Sequence, residues 1–401
     1  MRREELTRLA ERALEGVPGE AQATAWWERQ LSSRPGGAVT SEAVSVEVAV
    51  VRDGRVGTAV TTDLEELGRA AEAAGRAAPA GPEAVAPLPE PSAGRAHDGF
   101  DPTAVRGDPA VSGEWTSWRA AAARTAIAST KGVSAYEERS FGELRVRRHG
   151  EGRSLELSAT TVRPAELDAE SLAAEADALL GTGAPVAVPS GEYVAVLGPW
   201  AVAEVLRRAA LAFGGPRAPV AGRLGSRVAA SAVNLSDSPR FAAQLQRSYD
   251  AEGAPRSPLP LIQDGVAHRV AGPGTGHAQA PGGAQLPEHL VLVGGGAADL
   301  AELAIPVEHG LLIPSLSLHG AWMLGRRGAA LAEGVRLIRG GELAEPGPNL
   351  TVMFEPLELL AAVQALTARQ RTLPPPLLRS ARTASATVAP GVRVGGGLVV
   401  A

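Results

Sequence analysis

The chain has 401 residues, 45% hydrophobic and 21% charged, with a net charge of −5 and a pI near 5.9. That is the composition of a globular protein with room for two domains, and it excludes disorder, a basic field for nucleic acid and an attraction to anionic membranes. The lack of any cysteine excludes disulfides, thiol nucleophiles and thiolate-held metals together. The N-terminus, MRREELTRLAERALEG, is charged from its second residue and has no apolar core, so no signal peptide is expected. No run of about 18 apolar residues predicts a transmembrane helix, and a cytoplasmic protein is expected.

Residues 3–15 predict a helix with Leu6, Leu9, Ala10 and Ala13 on one face and Gly16 as its stop. A polar, Gly-rich stretch follows. Val44, Val46, Val48 and Val50 alternate with Ser45, Glu47 and Ala49, the period of a half-buried strand, and Asp53-Gly54 turns the chain into a second strand at 56–60. Thr62 and Glu65 have capping-box spacing and predict a helix through Leu64, Leu67, Ala71 and Ala74. Residues 79–113 are rich in Pro, Gly and Ala and read as a surface connection. His97, Asp98 and Asp101 fall in it without any metal-ligand spacing. Trp115, Trp118, Ala122 and Ala126 predict a helix to about Ser129. Residues 133–161 predict a hairpin around His149–Gly152, and 168–180 an amphipathic helix. Arg145, Arg147, Arg148 and Arg153 cluster near that hairpin turn and read as a solvated strand face.

A short linker at Val186–Pro189 separates a first domain, 1–185, from a second, 186–401. Tyr193–Leu197 predicts a strand. Pro199 opens a helix whose apolar face holds Val202, Val205, Leu206, Ala209, Ala210 and Phe213, with Glu204 on its polar face. Beyond residue 220 the pattern is short strands with dense turns. Ser248–Val270 holds Tyr249-Asp250-Ala251-Glu252-Gly253, then Leu261-Ile262-Gln263-Asp264-Gly265-Val266, a hairpin across Asp264-Gly265. Strands are expected at 290–293, 311–313, 334–339 and 342–343, a short helix at 298–304, and a longer helix through Leu359, Val363 and Leu366.

The stretch Pro189-Ser-Gly-Glu-Tyr-Val-Ala-Val-Leu-Gly-Pro199, the Asp250-x-Glu252-Gly253 turn and the Ile262-x-x-Gly265-Val266 hairpin together resemble the TldD/PmbA family, as do looser matches at 46–67 and 309–350. The resemblance runs in order along nearly the full chain. It implies an α+β fold of two domains. The first is an N-terminal domain of helices and β-hairpins, and the second a largely antiparallel, barrel-like β domain with flanking helices. Catalytic members of the family carry a His-Glu-x-x-x-His motif on the helix that corresponds to 199–213, completed by a downstream cysteine. This helix has no histidine and the chain no cysteine, so the resemblance is to the PmbA (TldE) branch. It implies a non-catalytic subunit without a cofactor of its own, paired with a TldD-like chain that bears zinc. The pair acts as a metallopeptidase on small or unfolded peptides or peptide-like natural products. On this reading His319, Trp322, Arg326 and Arg327 lie nearest the shared cleft, while Asp250, Glu252, Gly253 and Gly265 are structural.

Other chemistry is weaker in the residues. A metal site among His268, His277, His309 and His319 would make a stand-alone hydrolase, although no pair has i, i+4 spacing on a helix. Ser315 and Ser317 near His319 lack a nucleophile elbow. Gly294-Gly295-Gly296 lacks the spacing and the lysine of a phosphate loop. A homodimeric binding protein without turnover is the third alternative.

Overall fold

The computed structural model describes residues 1–34, 36–82, 95–96, 105, 116–215, 218–318, 325–375 and 384–401, and two β-sheets organise them. The first half contains α1 (Arg3–Arg12), β1 (Ala21–Arg34), β2 (Gly37–Arg52), β3 (Arg55–Thr61), α2 (Leu67–Ala77), β4 (Arg95–Ala96), β5 (Thr116–Ser129), β6 (Ser134–Gly150), β7 (Arg153–Thr161) and α3 (Ala169–Leu180). Its strands run in the order β3-β2-β1-β5-β6, with β4 and β7 both paired to β6. All of these pairings are antiparallel except that of β4 with β6.

The second half contains β8 (Gly191–Leu197), α4 (Pro199–Ala210), β9 (Leu235–Asp237), β10 (Leu259–Gln263), β11 (Val266–Ala267), β12 (Leu290–Leu292), α5 (Leu300–Ala304), β13 (His309–Ile313), β14 (Ser315–Leu318), β15 (Gly328–Glu333), β16 (Arg336–Arg339), β17 (Glu342–Pro346), β18 (Leu350–Phe354), α6 (Pro356–Ala361), β19 (Val363–Leu373) and β20 (Thr387–Val400). These strands form one mixed sheet in which β20 pairs with β8, β12, β18 and β19. Within this sheet only β12–β20 and β8–β13 are parallel among the described strand pairings. The α+β class and the largely antiparallel character of the second half agree with the sequence.

Three segments depart from the sequence reading. Residues 21–34 form a strand within what was read only as a polar, Gly-rich stretch, and 116–129 form a strand where a helix was expected. Both strands are central to their sheet and buried along most of their length; β1 alternates only over Ala21–Ala25, with Gln22 and Thr24 between small alanines, and β5 shows a run of four alanines in place of alternation. The alanines of β5 suit a helix by propensity, but pairing on both sides with β1 and β6 overrides it. The helix expected through Leu366 stops at Ala361, and β19 begins at Val363 on β20. The capping box expected at Thr62 is also absent. Thr61 and Asp63 make local turns instead, and α2 begins at Leu67. The expected connection at 79–113, with His97, Asp98 and Asp101, lies mostly outside the described residues, as does Trp115.

One apolar core runs through both halves, from Leu6 and Leu9 of α1 past Ala23, Ala25 and Val48 to Leu155 and Leu157, then to Trp200, Leu206, Ile313, Phe354 and Val394. Each fully buried leucine or phenylalanine contributes about 1.5–3 kcal/mol by leaving water. The joint that positions α4 is tight. A Cβ on Gly198 would lie 2.7 Å from the Pro314 carbonyl oxygen, so glycine there lets β8 and the start of α4 close onto the β13–β14 link. The Gly198 and Ala201 amides then donate to the Ile313 and Pro314 carbonyls, serving the helix's first turn.

Candidate functional site

The first sheet has one apolar face and one polar face. On β6, Tyr136, Leu144 and Val146 join the main core, whereas Glu137, Arg139, Glu143 and Arg145 point the other way, toward the second half. Glu137 accepts the Ser248 amide at 2.6 Å. The buried Arg139 guanidinium donates to the Leu245 and Gln246 carbonyls at 2.8 Å and to that of Ala384. Gln22 of β1, on the same side, donates to the Ala251 carbonyl. These contacts fasten the polar face to the second half at one end.

At its other end the polar face forms one wall of a cavity of about 460 Å³. Arg145 lies in register with Ser158 and, two residues along β7, Glu156, so the three share this wall. Opposite stands α4. Its residues Trp200, Ala203, Glu204, Arg207 and Arg208 follow the i, i+3, i+4, i+7, i+8 spacing that puts side chains on one stripe of a helix. Ser315, Leu316 and Ser317 of β14 and the Leu373-Pro374 end of β19 complete the lining. The Trp200 indole donates to the Ser158 carbonyl at 2.7 Å and ties the two walls together.

The charges here are mostly paired. Arg145 bonds Glu143 at 2.5 Å and Glu156 at 3.3 Å. Burial alone would lower the pKa of Arg145, but Glu143 and then Glu156 outweigh it and raise it. Arg207 pairs with Glu204 one turn back and donates to the Pro374 carbonyl at 2.6 Å and to Thr387 Oγ1 at 3.2 Å. Burial lowers its pKa against the pull of Glu204. Glu204, expected on a polar face, is 8% exposed, because the stripe it belongs to faces the cavity and not bulk water. The arginines read as a solvated face are likewise engaged. Arg147 reaches Glu333, Arg148 reaches Asp177, and the buried Arg153 donates to the Leu180 and Gly183 carbonyls. The cavity stripe of α4 thus offers two guanidiniums and one carboxylate already held by Arg207, which repels a metal cation. No group of three His, Asp or Glu side chains suited to a metal occurs among the described residues.

The signature turn has its own chemistry. Asp250, 3% exposed, accepts the amides of Glu252 and Ala254 at 2.9 Å and of Ala278 at 3.0 Å. Burial raises its pKa against those three donors. Glu252 accepts the Gly282 amide, and burial followed by the nearby Asp250 raises its pKa. Gly253 has φ +79°, and a Cβ there would press on Val133 and Ile127 of the first half. Gly265 has φ +76°, and a Cβ would lie 2.4 Å from the Ala229 carbonyl oxygen.

Beside this turn lies a buried ionic group. Arg256, 0% exposed, donates to Asp237 at 3.1 Å and Glu288 at 3.2 Å, and His277 Nε2 lies 3.3 Å from Asp237. His289 is buried behind Asp237 at 4.0 Å. Nothing in the sequence pattern marked Asp237 or Arg256, which come together from segments 19 residues apart. His277 belongs to this group, while His268 and His309 are exposed, so the histidines proposed for a stand-alone hydrolase do not converge. His319 and Trp322 lie outside the described residues. Arg326 and Arg327 are exposed and do not line the cavity, and Arg327 lies 3.6 Å from Glu358. The residues that do line it were missed. The polar stripe 200-204-207-208 on an otherwise apolar helix was the signal that could have found them.

Among known proteins, the sequence profile of the PmbA/TldA metallopeptidase C-terminal domain matches residues 190–400. No curated protein matches the chain in sequence. Three solved structures share the fold along almost the whole chain. TldE from Thermococcus kodakarensis has a TM-score of 0.78 at 18% identity, covering 99% of each chain. A proposed modulator of a DNA gyrase from Thermotoga maritima has a TM-score of 0.77 at 19% identity, covering 98% of this chain and 99% of its own. A proposed modulator of DNA gyrase from Bacteroides thetaiotaomicron has a TM-score of 0.70 at 18% identity, covering 98% of each. No helix among the described residues is long and apolar enough to cross a membrane.

Proposed function

Because this chain belongs to the TldD/PmbA family, we propose that it is a non-catalytic subunit of a family metallopeptidase, carrying no metal of its own. Its role is to wall a cleft that admits small or unfolded peptides or peptide-like natural products. The zinc and the hydrolytic step belong to a TldD-like partner chain, and the complex is cytoplasmic, without nucleic acid or membrane as partner. Residues 1–185 and 186–401 act as the two domains whose meeting forms the cleft.

One observation carries this reading. The helix stripe that faces the cleft presents Arg207, Arg208 and an Arg-paired Glu204, and no histidine. A cation held there would be repelled by both guanidiniums, so the residues do not fit a metal and no hydrolytic step is assigned to them.

The test is co-expression with a TldD-like chain encoded in the same genome. The two should purify together, with peptide hydrolysis and zinc only when the partner is present. If the isolated chain hydrolyses peptides with stoichiometric zinc bound, the reading fails.

A further inference from the structure

We propose that Arg208 binds the C-terminal carboxylate of a peptide in the cleft cavity, an inference that rests on the cleft being a peptide site. Arg145 and Arg207 are each satisfied by carboxylates and carbonyls. Arg208 is half-buried, lines the same cavity, and has no ion pair or hydrogen bond among the described residues. A guanidinium offers a planar fork of donors, and a carboxylate matches that fork with two parallel bonds. Held in a wall shielded from bulk water, such a fork gains most from an anion that replaces the water it has lost.

The cavity's other walls choose among anions. Glu156 and Glu204 line it too. They repel a phosphate dianion about twice as strongly as a carboxylate monoanion, since Coulomb energy scales with charge. On β14, the Ser315 hydroxyl makes no hydrogen bond among the described residues, and that of Ser317 is only 3.4 Å from Glu333. Both are available to bond the backbone of a bound chain end. At about 460 Å³ the cavity falls in the range of small-ligand sites, which suits the end of a peptide better than its middle.

The test is calorimetric titration of the full chain with three probes: tri-alanine with a free C-terminal carboxylate, tri-alanine amide, and an amidated peptide with an internal aspartate. The free acid should bind, and both amides should bind about 10- to 100-fold more weakly, the worth of one charged hydrogen-bonded pair. R208Q should bring the acid down to the level of the amide and leave amide binding unchanged, and R208K should restore it in part. Equal binding of acid and amide, no binding of any probe, or unaltered acid binding by R208Q would each overturn the assignment. An internal aspartate that binds as well as the free acid would overturn the choice of the C-terminus. The comparison of acid with amide uses the unaltered chain, so a misfolded variant cannot imitate it. Failure here leaves the subunit proposal intact, because that is decided by zinc content and hydrolysis of the complex.

Discussion

Arg256 donates to Asp237 across 3.1 Å, and solvent reaches neither side chain. The same guanidinium also holds Glu288. Arg256→Met leaves the Asp237 carboxylate buried without its cation, and breaking such a pair costs about 3–5 kcal/mol. Urea unfolding should show the loss as a lower midpoint at unchanged slope. A change below about 1 kcal/mol would mean that the cluster is better hydrated than its burial indicates.

The same cluster sets a pH dependence. Burial first, then Arg256, hold the His289 pKa well below its ordinary 6.5. As pH falls below about 6.5 the unfolded chain takes up this proton and the folded chain does not, so stability falls. Asp237 follows at lower pH. Burial alone would raise its pKa, but Arg256, then His277 and His289, hold it below 3.8, and its stabilisation is lost only as pH falls below that value. Wild type should therefore lose stability relative to His289→Leu between pH 7 and pH 5, by up to about 1.4 kcal/mol per unit. The raised carboxyls Asp250 and Glu252 are common to both proteins and cancel in the difference. A gap that stays constant with pH would rule out a neutral His289.

Gly265 and Gly274 separate strain from collision. Both have positive φ, +76° and +71°, but a Cβ at Gly274 meets nothing within 4 Å while one at Gly265 meets the carbonyls of Ala229 and Ala230. Gly274→Ala should cost about 1–2 kcal/mol for the left-handed backbone alone. Gly265→Ala adds the displacement of packed backbone and should cost about 3 kcal/mol or more. Chemical denaturation of the two variants side by side gives the comparison, and equal losses would refute it.

Arg207 joins α4 to the ends of β19 and β20 through the carbonyls of Leu373 and Pro374 and the Thr387 hydroxyl. Arg207→Lys keeps the charge near Glu204 but loses the fork, at a cost of about 1.5–3 kcal/mol. Amide hydrogen exchange should quicken at the paired Leu373 and Thr387 and stay unchanged in the β1–β5 ladder. Uniform quickening throughout would show a global loss instead.

The sequence made some of this legible and hid the rest for physical reasons. The α4 helix was plain from its apolar spacing, and the Asp-Gly turns at 53–54 and 264–265 from their chemistry; Asp53 and Asp264 indeed have positive φ. Strand β1 was hidden because its alternation is short, Ala21–Ala25, and rests on alanines with weak strand preference, and β5 because it is built from a run of helix-favouring alanines. The cavity was hidden because its walls come from β6, β7, α4, β14 and β19, and only the fold brings them together. Glu204 illustrates the difficulty. Its place opposite the apolar face was read correctly, but a polar face can look onto a buried cavity as well as onto water.

In the second sheet, β20 bonds to β8, β12, β18 and β19, yet it follows all of them in sequence. During synthesis, then, β8 leaves the ribosome long before its partner exists. The almost wholly buried helix α4 waits beside it with Trp200, Val202, Val205 and Leu206 uncovered. Long-range pairing of this kind is slow to form and leaves apolar surface open to other chains meanwhile. The half that lines most of the cavity is thus the half whose apolar surface stays uncovered longest while the nascent chain is still growing.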